Sequence, residues 1–237
     1  MRRASAPLAG SGVVSGIVEI QLADQVVVVH ADAPLPALQT ELRELGVCLP
    51  YGESTPFANR ALGVLLGEDL PHTLQAQCGS WRDWVLGMTA TLADGTKVKL
   101  GSRAVKNVAG YDLTRLAVGS RGTLLTPVEV VLRLFPVGAL PAEAVKHGLA
   151  EGPRIVHRVL PADFEAALAA TEGMVLADRE GSTLWSVEGP SRRFEGDALW
   201  RFGEPPEVNE TTRRFMVRAK ELFDPERKLN PGAFGFL

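Results

Sequence analysis

The sequence has few cysteines, no long apolar run, no basic run and no metal-ligand spacing, and each of these absences argues against a large class of proteins. It contains only 2 cysteines in 237 residues, and Cys48 and Cys78 lie outside any CxxC pattern, which is typical of reduced thiols in the cytoplasm. No apolar run approaches the roughly 18–20 residues of a membrane helix, so no membrane span is predicted. The formal net charge of −3 and the lack of a Lys/Arg run argue against nucleic-acid binding. The 4 histidines show no metal-ligand spacing, and no metal site is predicted.

The composition that is present is that of an ordinary globular protein. Hydrophobic residues make up 46% and charged residues 22% of the chain, which argues against disorder and suffices for one large domain or two unequal ones. Arg2 and Arg3 are followed by Ala, Ser, Pro and Gly instead of an apolar segment, so no signal peptide is predicted. We therefore expect a soluble cytoplasmic protein.

Apolar periodicity predicts the elements of the N-terminal third. Alternating apolar residues predict a strand over 16–22, and the continuous run 25–30 predicts a strand buried on both faces. A helix is predicted from Leu35 to Gly46, because leucines recur there at helical spacing. A short strand follows, so strand, helix and strand together suggest a βαβ unit. Residues 56–78 are predicted to form a loop with one helical turn.

The middle of the chain gives a stronger signal. The pair Asp94 and Gly95 predicts a hairpin between strands over 85–92 and 97–100. A half-buried strand is predicted over 128–135, where apolar and polar residues alternate.

The C-terminal part is predicted to be a separate small unit followed by a helix. Residues 137–152 have the composition of a linker, and residues 154–200 show the pattern of a βαββ module. A final helix is predicted to begin after Asn209, which is a suitable N-cap. The apolar residues on one face of this helix are Phe215, Ala219 and Leu222.

The stretch 106–123, KNVAGYDLTRLAVGSRGT, combines two glycine-containing turns with one short helix. Asp112 is placed to cap this helix, which begins at Leu113 and ends near Gly119. Glycine turns at both ends of a short helix let the main chain come close to a large ligand. The Gly-Ser-Gly triplet at 10–12 is either a second such site, for a phosphate, or part of a flexible arm.

Three segments resemble those of one flavoprotein family. They are GSWRDWVLG (79–87), VKNVAGYDLTRLAVGSRGTL (105–124) and FDPERKLNPG (223–232). They are similar to the FAD-binding subunit of bacterial glycolate oxidase and, more widely, to flavoproteins with a vanillyl-alcohol-oxidase-type (PCMH) FAD domain.

The resemblance implies an α+β fold built on a PCMH-type FAD-binding domain of two α+β subdomains. This domain is expected over 1–136, with an abbreviated first subdomain over 1–55. A reduced α+β cap is expected over 137–205, and a C-terminal helix and tail over 206–237 are expected to return to the FAD domain.

The resemblance also implies a function. Such subunits bind FAD and work in a complex with a catalytic flavoprotein subunit and an iron–sulfur subunit. The complex oxidises glycolate or D-lactate to the 2-oxo acid and passes electrons between its subunits. Non-covalent FAD is expected, because nothing here resembles the histidine by which some relatives attach the flavin. No catalytic residue is identified.

The resemblance places 17 residues at the cofactor. Gly10, Ser11 and Gly12 would form the pyrophosphate loop. Gly79, Ser80, Arg82 and Asp83 would lie near the pyrophosphate and ribose. Lys106, Asn107, Gly110 and Tyr111 would approach the flavin half. Gly119, Ser120, Gly122 and Thr123 would lie against the adenine or flavin edge, and Asn230 and Gly232 would close the tail over the site.

Several of these residues also have a structural interpretation. Arg82 and Asp83 could brace the turn as a salt bridge, and Tyr111 could be a packed core aromatic. Asp112 is predicted to be a helix cap rather than a base. The pair Trp81 and Trp84 is predicted to belong to a core or a partner interface.

Two departures from the family pattern support a second hypothesis. Val64 and Leu125 stand where relatives carry glycine, and a Cβ there can block a ligand that must approach the main chain. The alternative is therefore a shortened relative that has lost FAD and acts as a structural or interaction subunit. A third hypothesis is a stand-alone flavin oxidoreductase with another small substrate.

Overall fold

The computed structural model describes residues 16–101, 112–148, 150, 152–201, 204 and 208–237. These residues form two five-stranded sheets and one two-stranded sheet, all antiparallel, together with short helices. The predicted α+β class is confirmed. None of the helices in these ranges has the length and hydrophobicity needed to cross a lipid bilayer.

The elements up to residue 136 are β1 (Ile17–Gln21), β2 (Val26–His30), α1 (Leu35–Glu44), β3 (Val47–Cys48), α2 (Leu62–Glu68), α3 (Gln75–Cys78), α4 (Trp81–Trp84), β4 (Val85–Thr91), β5 (Lys97–Gly101), α5 (Leu113–Ala117), β6 (Thr126–Arg133) and β7 (Phe135–Pro136). The later elements are β8 (Val145–His147), β9 (Ile155–Arg158), α6 (Phe164–Ala169), β10 (Met174–Asp178), β11 (Thr183–Ser186), β12 (Ala198–Arg201) and α7 (Glu210–Phe223).

The first sheet has the strand order β1-β2-β6-β4-β5. Val27 and Val29 on β2, with Val130 and Leu132 on β6, are fully buried on its inner face. The leucines of α1 pack in the same core. The outward residues of β2 between Val26 and Val29 are buried as well, so the prediction of a strand buried on both faces is confirmed.

The predicted βαβ unit is wrong. β3 does not join the sheet of β2 but pairs antiparallel with β7. β2 pairs antiparallel with β1 on one side and β6 on the other. Its uninterrupted valines therefore mark a central antiparallel strand, which the apolar run alone could not distinguish from a parallel one.

The region predicted as a loop with one helical turn holds more structure. α2 extends over seven residues and α3 adds one turn, and α4 forms a further turn just after this region. α4 has a capping box, because the Asp83 carboxylate accepts from the backbone N–H of Ser80 at 2.8 Å and from its hydroxyl at 2.9 Å. This cap satisfies helix N-terminal donors and turns the chain into β4.

The second sheet has the order β12-β9-β11-β10-β8. Phe164 and Ala167 of α6 pack on one face, against Leu184 and neighbouring apolar residues. The predicted strand, helix and hairpin of the βαββ module are present. The segment predicted as a linker additionally supplies β8, which pairs with β10.

The apolar face predicted for the last helix is wrong in part. Phe215 and Leu222 on α7 are 68% and 79% exposed, whereas the side chain of Lys220 is buried. Ala219 and Phe223 pack against the first core. The helix therefore packs on the first core through its Ala219 side. Its N-cap is Asn209 as predicted, because the Thr212 amide donates to the Asn209 side chain at 2.8 Å.

The chain between the sheets is held by Glu143. The Thr73 hydroxyl donates to the Glu143 carboxylate at 2.6 Å, and the Ser54 amide donates to it at 3.2 Å. These charge-assisted bonds fix the segment that enters β8 against the first unit.

Candidate functional site

Two adjoining clefts lie beside the first sheet. The main cleft, of about 610 Å³, is bounded by α2, the segment 117–127 and the tail residues 230–233. The side cleft, of about 280 Å³, reaches toward the second sheet. Glu68 and Arg121 line both clefts and thus separate them.

α2 presents glycines to the main cleft. Gly63 and Gly67 are four residues apart and therefore lie on one helix face. The Gly63 amide donates to the carbonyl of Ala31 at 2.6 Å, and a Cβ at Gly63 would lie 2.9 Å from that oxygen. A Cβ at Gly67 would lie 3.6 Å from the Cα of Arg121. A side chain is thus excluded at Gly63 by the Ala31 carbonyl, whereas at Gly67 a Cβ would make only an ordinary contact with the turn.

The turn 119–122 docks on the end of α2 through its main chain. The Gly119 amide donates to the carbonyl of Leu66 at 2.9 Å, and the Arg121 amide donates to that of Gly67 at 3.0 Å. Both carbonyls belong to the last turn of the helix, where they would otherwise lack partners.

The last residue of this turn leaves a donor at the cleft. Gly122 has φ +69°, a conformation that favours glycine, and a Cβ added there would contact nothing within 4 Å. Among the described residues no acceptor receives its amide hydrogen. The turn therefore offers, at the wall of the main cleft, an N–H that is not bonded within the described part of the chain.

The side chain of Arg121 joins the turn to the C-terminal tail. It forms an ion pair with Glu68 at 2.9 Å and donates to the carbonyls of Glu204 at 3.0 Å and Ala233 at 3.2 Å. In return the Asn230 amide donates to the carbonyl of Arg121 at 2.6 Å. The tail is thereby held across one side of the main cleft.

A buried ion pair supports the same turn from behind. The ammonium of Lys220 donates to Asp224 at 2.6 Å and to the carbonyls of Thr123 at 2.9 Å and Leu229 at 2.5 Å. Burial raises the pKa of Asp224, but hydrogen bonds from Lys220 and from the Leu229 and Lys228 amides outweigh it and hold the pKa at about 2. All three donors of the ammonium are therefore used.

The side cleft contains Arg82 in an unexpected pairing. Its Nε donates to Asp69 at 2.8 Å, and its guanidinium also donates to the carbonyl of Val118 at 3.0 Å. Of the two interpretations left open for Arg82 and Asp83, the salt bridge between them is not formed, because Arg82 pairs with Asp69 and Asp83 is engaged as the cap at Ser80. Arg82 instead ties α4 to α2 and to the end of α5.

An aromatic cluster lies behind Gly79. Trp81 and Trp84 are 1% exposed. The ring of Trp81 lies 5.3 Å from that of Tyr51, and the ring of Trp84 lies 4.8 Å from that of His72. The rings of Tyr51 and His72 are 5.1 Å apart, as are those of Trp81 and Trp84. Burial lowers the pKa of His72 to about 4, although the hydrogen bond to the Gly79 carbonyl acts against it. The tryptophans are therefore core residues, as predicted, and not part of a reaction centre.

The structure separates the predicted cofactor residues into groups. Ser120, Gly122, Asn230 and Gly232 line the main cleft. Ser80, Arg82 and Gly119 line the side cleft. Gly79, Asp83 and Thr123 line neither cleft and support the turns behind them. Gly10, Ser11, Gly12, Lys106, Asn107, Gly110 and Tyr111 lie outside the described residues.

Three residues that shape the site were not identified from the sequence. Gly67 lies in a segment whose helix was not predicted, and Arg121 lies inside the motif, between Ser120 and Gly122, at a position for which no role was predicted. Lys220 is four residues before Asp224, a spacing that places the two on one face of a helix. That spacing was the available signal for the buried pair.

Comparison with known proteins finds similarity to proteins named as glycolate oxidase subunits and a D-lactate dehydrogenase. No protein-family model matches it. It is 33% identical over 126 residues to glycolate oxidase subunit GlcE of Escherichia coli (strain K12). The matched segment covers 51% of this chain and 35% of that protein. It is 35% identical over 115 residues to a mitochondrial D-lactate dehydrogenase [cytochrome] of Arabidopsis thaliana, covering 48% and 20%.

A third match is shorter but has a higher identity. The chain is 48% identical over 58 residues to glycolate oxidase subunit GlcD of Bacillus subtilis (strain 168), covering 24% of this chain and 12% of that protein. Among solved structures, alkyldihydroxyacetonephosphate synthase aligns with a TM-score of 0.45 and 18% identity, over 65% of this chain and 25% of that one. The sequence matches confirm the resemblance that the motifs indicate. They span about a third or less of the length of each of these relatives.

Proposed function

We propose that this chain is an FAD-binding component of a 2-hydroxy-acid oxidase or dehydrogenase of the glycolate or D-lactate type, and that it transfers electrons to a partner subunit. The observation that carries the proposal is the position of the turn 119–122. This turn belongs to the segment that resembles glycolate oxidase subunits, and it forms a wall of the main cleft.

The residues of the main cleft fit a dinucleotide. A volume of about 610 Å³ falls within the roughly 300–1,000 Å³ of ligand pockets. Gly67 and Gly122 expose main chain, and the Gly122 amide, which has no acceptor among the described residues, can donate to a phosphate or to a ring heteroatom. Ser120 and Asn230 add polar side chains at the same wall. We propose that these residues hold FAD without a covalent bond.

FAD would supply the redox chemistry by accepting a hydride from the carbon that bears the hydroxyl group of the acid. The protein's own contribution is to bind and orient. Arg121 and Lys220 hold the turn in place from the cleft side and from the core side, respectively. None of the described residues at the cleft is assigned as the catalytic base.

The proposal includes partners and a location. The relatives named as glycolate oxidase subunits are by those names parts of a multi-subunit enzyme, and we propose a catalytic flavoprotein subunit and an iron–sulfur subunit as partners of this chain. A cytoplasmic location is supported by the free thiols Cys48 and Cys78.

Purification tests the proposal. The chain should be isolated yellow, with a flavin absorbance spectrum, and should release FAD on denaturation because the cofactor is not covalently attached. Co-expression with candidate subunits should yield a complex that oxidises glycolate or D-lactate. A colourless protein that does not take up added FAD would rule the proposal out.

One observation favours the alternative of a subunit that has lost FAD. Val64 is 45% exposed and lines the main cleft, where its side chain narrows the opening. Leu125 also lines the cleft but is 2% exposed and packs into the core. If the alternative is correct, wild-type protein binds no FAD and a Val64→Gly variant gains binding.

A further inference from the structure

We propose that the side cleft binds the carboxylate of a small organic acid, and that Arg158 of the second sheet is its charge partner. The inference rests on the proposed function, because it names where the acid substrate would be held. It assigns this role to a residue outside the segments that resemble glycolate oxidase subunits.

The side cleft has an excess of positive charge. Its lining contains three arginines, Arg82, Arg121 and Arg158, against the two carboxylates of Glu68 and Asp69. Arg82 is paired with Asp69 and Arg121 with Glu68. One guanidinium is left over, so an added anion would balance the charge of the cleft.

Arg158 is that remaining cation. No carboxylate of the described residues lies within ion-pair distance of it, and its guanidinium stands 5.4 Å from the ring centre of Trp200. Burial raises the pKa of Asp69, and the charges of Arg82 and Arg158 act against it. The charge of Arg158 thus acts on Asp69 across the cleft, although no direct ion pair joins it to a carboxylate of the described residues.

The remaining walls suit a carbon skeleton. Trp200, Phe234 and Pro71 supply apolar surface, and Gln75 adds an amide whose side chain has no hydrogen-bond partner among the described residues. A guanidinium presents a planar fork that matches a carboxylate in two hydrogen bonds. Apolar walls beside a planar donor favour a small carboxylic acid over an inorganic anion.

The position of the cleft is consistent with this role. It shares Glu68 and Arg121 with the main cleft, so a bound acid would lie next to the proposed FAD site. It is also formed jointly by the first unit, the second sheet and the tail. The second sheet would therefore contribute to substrate binding rather than serve as a spacer.

Tryptophan fluorescence provides a direct test on the FAD-free full-length chain. Trp81, Trp84 and Trp185 are at most 1% exposed, whereas Trp200 lines the side cleft. Titration with glycolate should change the emission saturably, with a dissociation constant in the millimolar range or tighter. A Trp200→Phe variant should lose the signal. Absence of a saturable change in wild type would overturn the inference.

Variants of Arg158 test its role. Arg158→Gln should weaken glycolate binding about tenfold or more, and Arg158→Lys, which keeps the charge but loses the fork, should be intermediate. The matched control is Arg192→Gln. Arg192 is also an exposed arginine of this unit and lies over an aromatic ring, 4.7 Å from the ring centre of Phe194, but it does not line the side cleft. Unchanged binding by Arg158→Gln, or equal binding of inorganic phosphate and glycolate by wild type, would overturn the inference.

FAD binding is measured separately on the same preparations. Wild type that binds FAD but no carboxylate contradicts this inference and leaves the proposed function standing. Wild type that binds the carboxylate but no FAD contradicts the proposed function. Circular dichroism of each variant verifies that the fold is retained.

Discussion

At the scale of single residues, the molecule keeps several ionisable groups buried, and each has a physical reason. Lys220 and Asp224 are 1% and 0% exposed, and their hydrogen bonds fix the turn and the tail together. His72 is buried in the aromatic cluster, and Asp178 is buried where the hairpin of β10 and β11 turns. The motif glycines were predictable from the sequence, whereas these buried charges follow from tertiary packing.

Removal of one member of the buried pair should be costly. Lys220→Met leaves Asp224 without its charge partner, and we expect a loss of about 3–5 kcal/mol in the free energy of unfolding, measured with urea. The double variant Lys220→Met/Asp224→Leu should regain part of this loss. The matched control is Lys228→Met, which breaks the exposed pair with Glu226 and should change stability little. Equal effects of the two lysine variants would contradict the assigned role of Lys220.

His72 and Asp178 should give opposite pH dependences. The folded state lowers the pKa of His72 from 6.5 to about 4, so its contribution to stability is complete above pH 6.5 and is lost as pH falls to 4. Burial raises the pKa of Asp178 from 3.8 to about 6, although the Gly181 and Glu180 amides act against it. Its contribution is therefore complete below pH 3.8 and is lost as pH rises through 6.

Two variants separate these contributions between pH 7 and pH 4. Asp178→Asn should leave a steep loss of stability on acidification, about 3 kcal/mol from His72. His72→Gln should instead leave a protein that gains stability over the same range. Urea unfolding at each pH measures both slopes. If both variants kept the wild-type slope, neither group would be buried as the structure shows.

At the scale of elements, the sequence predicted those with a strong local signal. The Asp94-Gly95 hairpin, the strand β6 and the caps Asp112 and Asn209 follow from turn chemistry and periodicity, and the structure has all of them. The βαβ unit was wrong because strand pairing is decided by tertiary contacts. The buried face of α7 was wrong because the helix uses Ala219 and Lys220 for close packing and leaves Phe215 exposed.

The capping box of α4 makes a prediction at this scale. Ser80→Ala removes the hydroxyl that bonds to Asp83, and we expect a loss of about 1 kcal/mol in stability. Because Ser80 also lines the side cleft, the same variant should be compared with Ser54→Ala, which keeps the contact of the Ser54 backbone amide with Glu143. An equal, negligible change in both variants would contradict the capping role of Ser80.

At the scale of the whole molecule, the clefts are formed where separate parts of the chain meet. The turn 119–122 is held by α2, by the tail and by Lys220. The second sheet reaches the side cleft through Arg158 and Trp200. The motifs predicted that the turn and the tail belong to the site. The separation of the main cleft from the side cleft by Glu68 and Arg121 was not predicted, because it depends on contacts between residues that are distant in sequence.

The Glu143 contact should control the attachment of the second sheet. Glu143→Ala removes the carboxylate that accepts from the Thr73 hydroxyl and the Ser54 amide, and so frees the segment before β8. We expect faster cleavage of the 137–152 segment by a protease at unchanged secondary structure. Glu165→Ala, which removes an exposed ion pair with Arg179, is the matched control. Identical cleavage rates in wild type and Glu143→Ala would show that the contact does not hold the segment.

The central claim is that the main cleft holds FAD, and a fluorescence titration of FAD tests it most directly. Wild type should quench FAD fluorescence saturably at micromolar protein. Gly67→Val should abolish this quenching while the protein remains folded, because its Cβ meets only an ordinary contact at 3.6 Å and its methyl groups fill the space next to Arg121. Gly138→Val, at a position with no atom within 4 Å of the added Cβ, should bind like wild type. No quenching by wild type, or equal quenching by Gly67→Val, would contradict the claim.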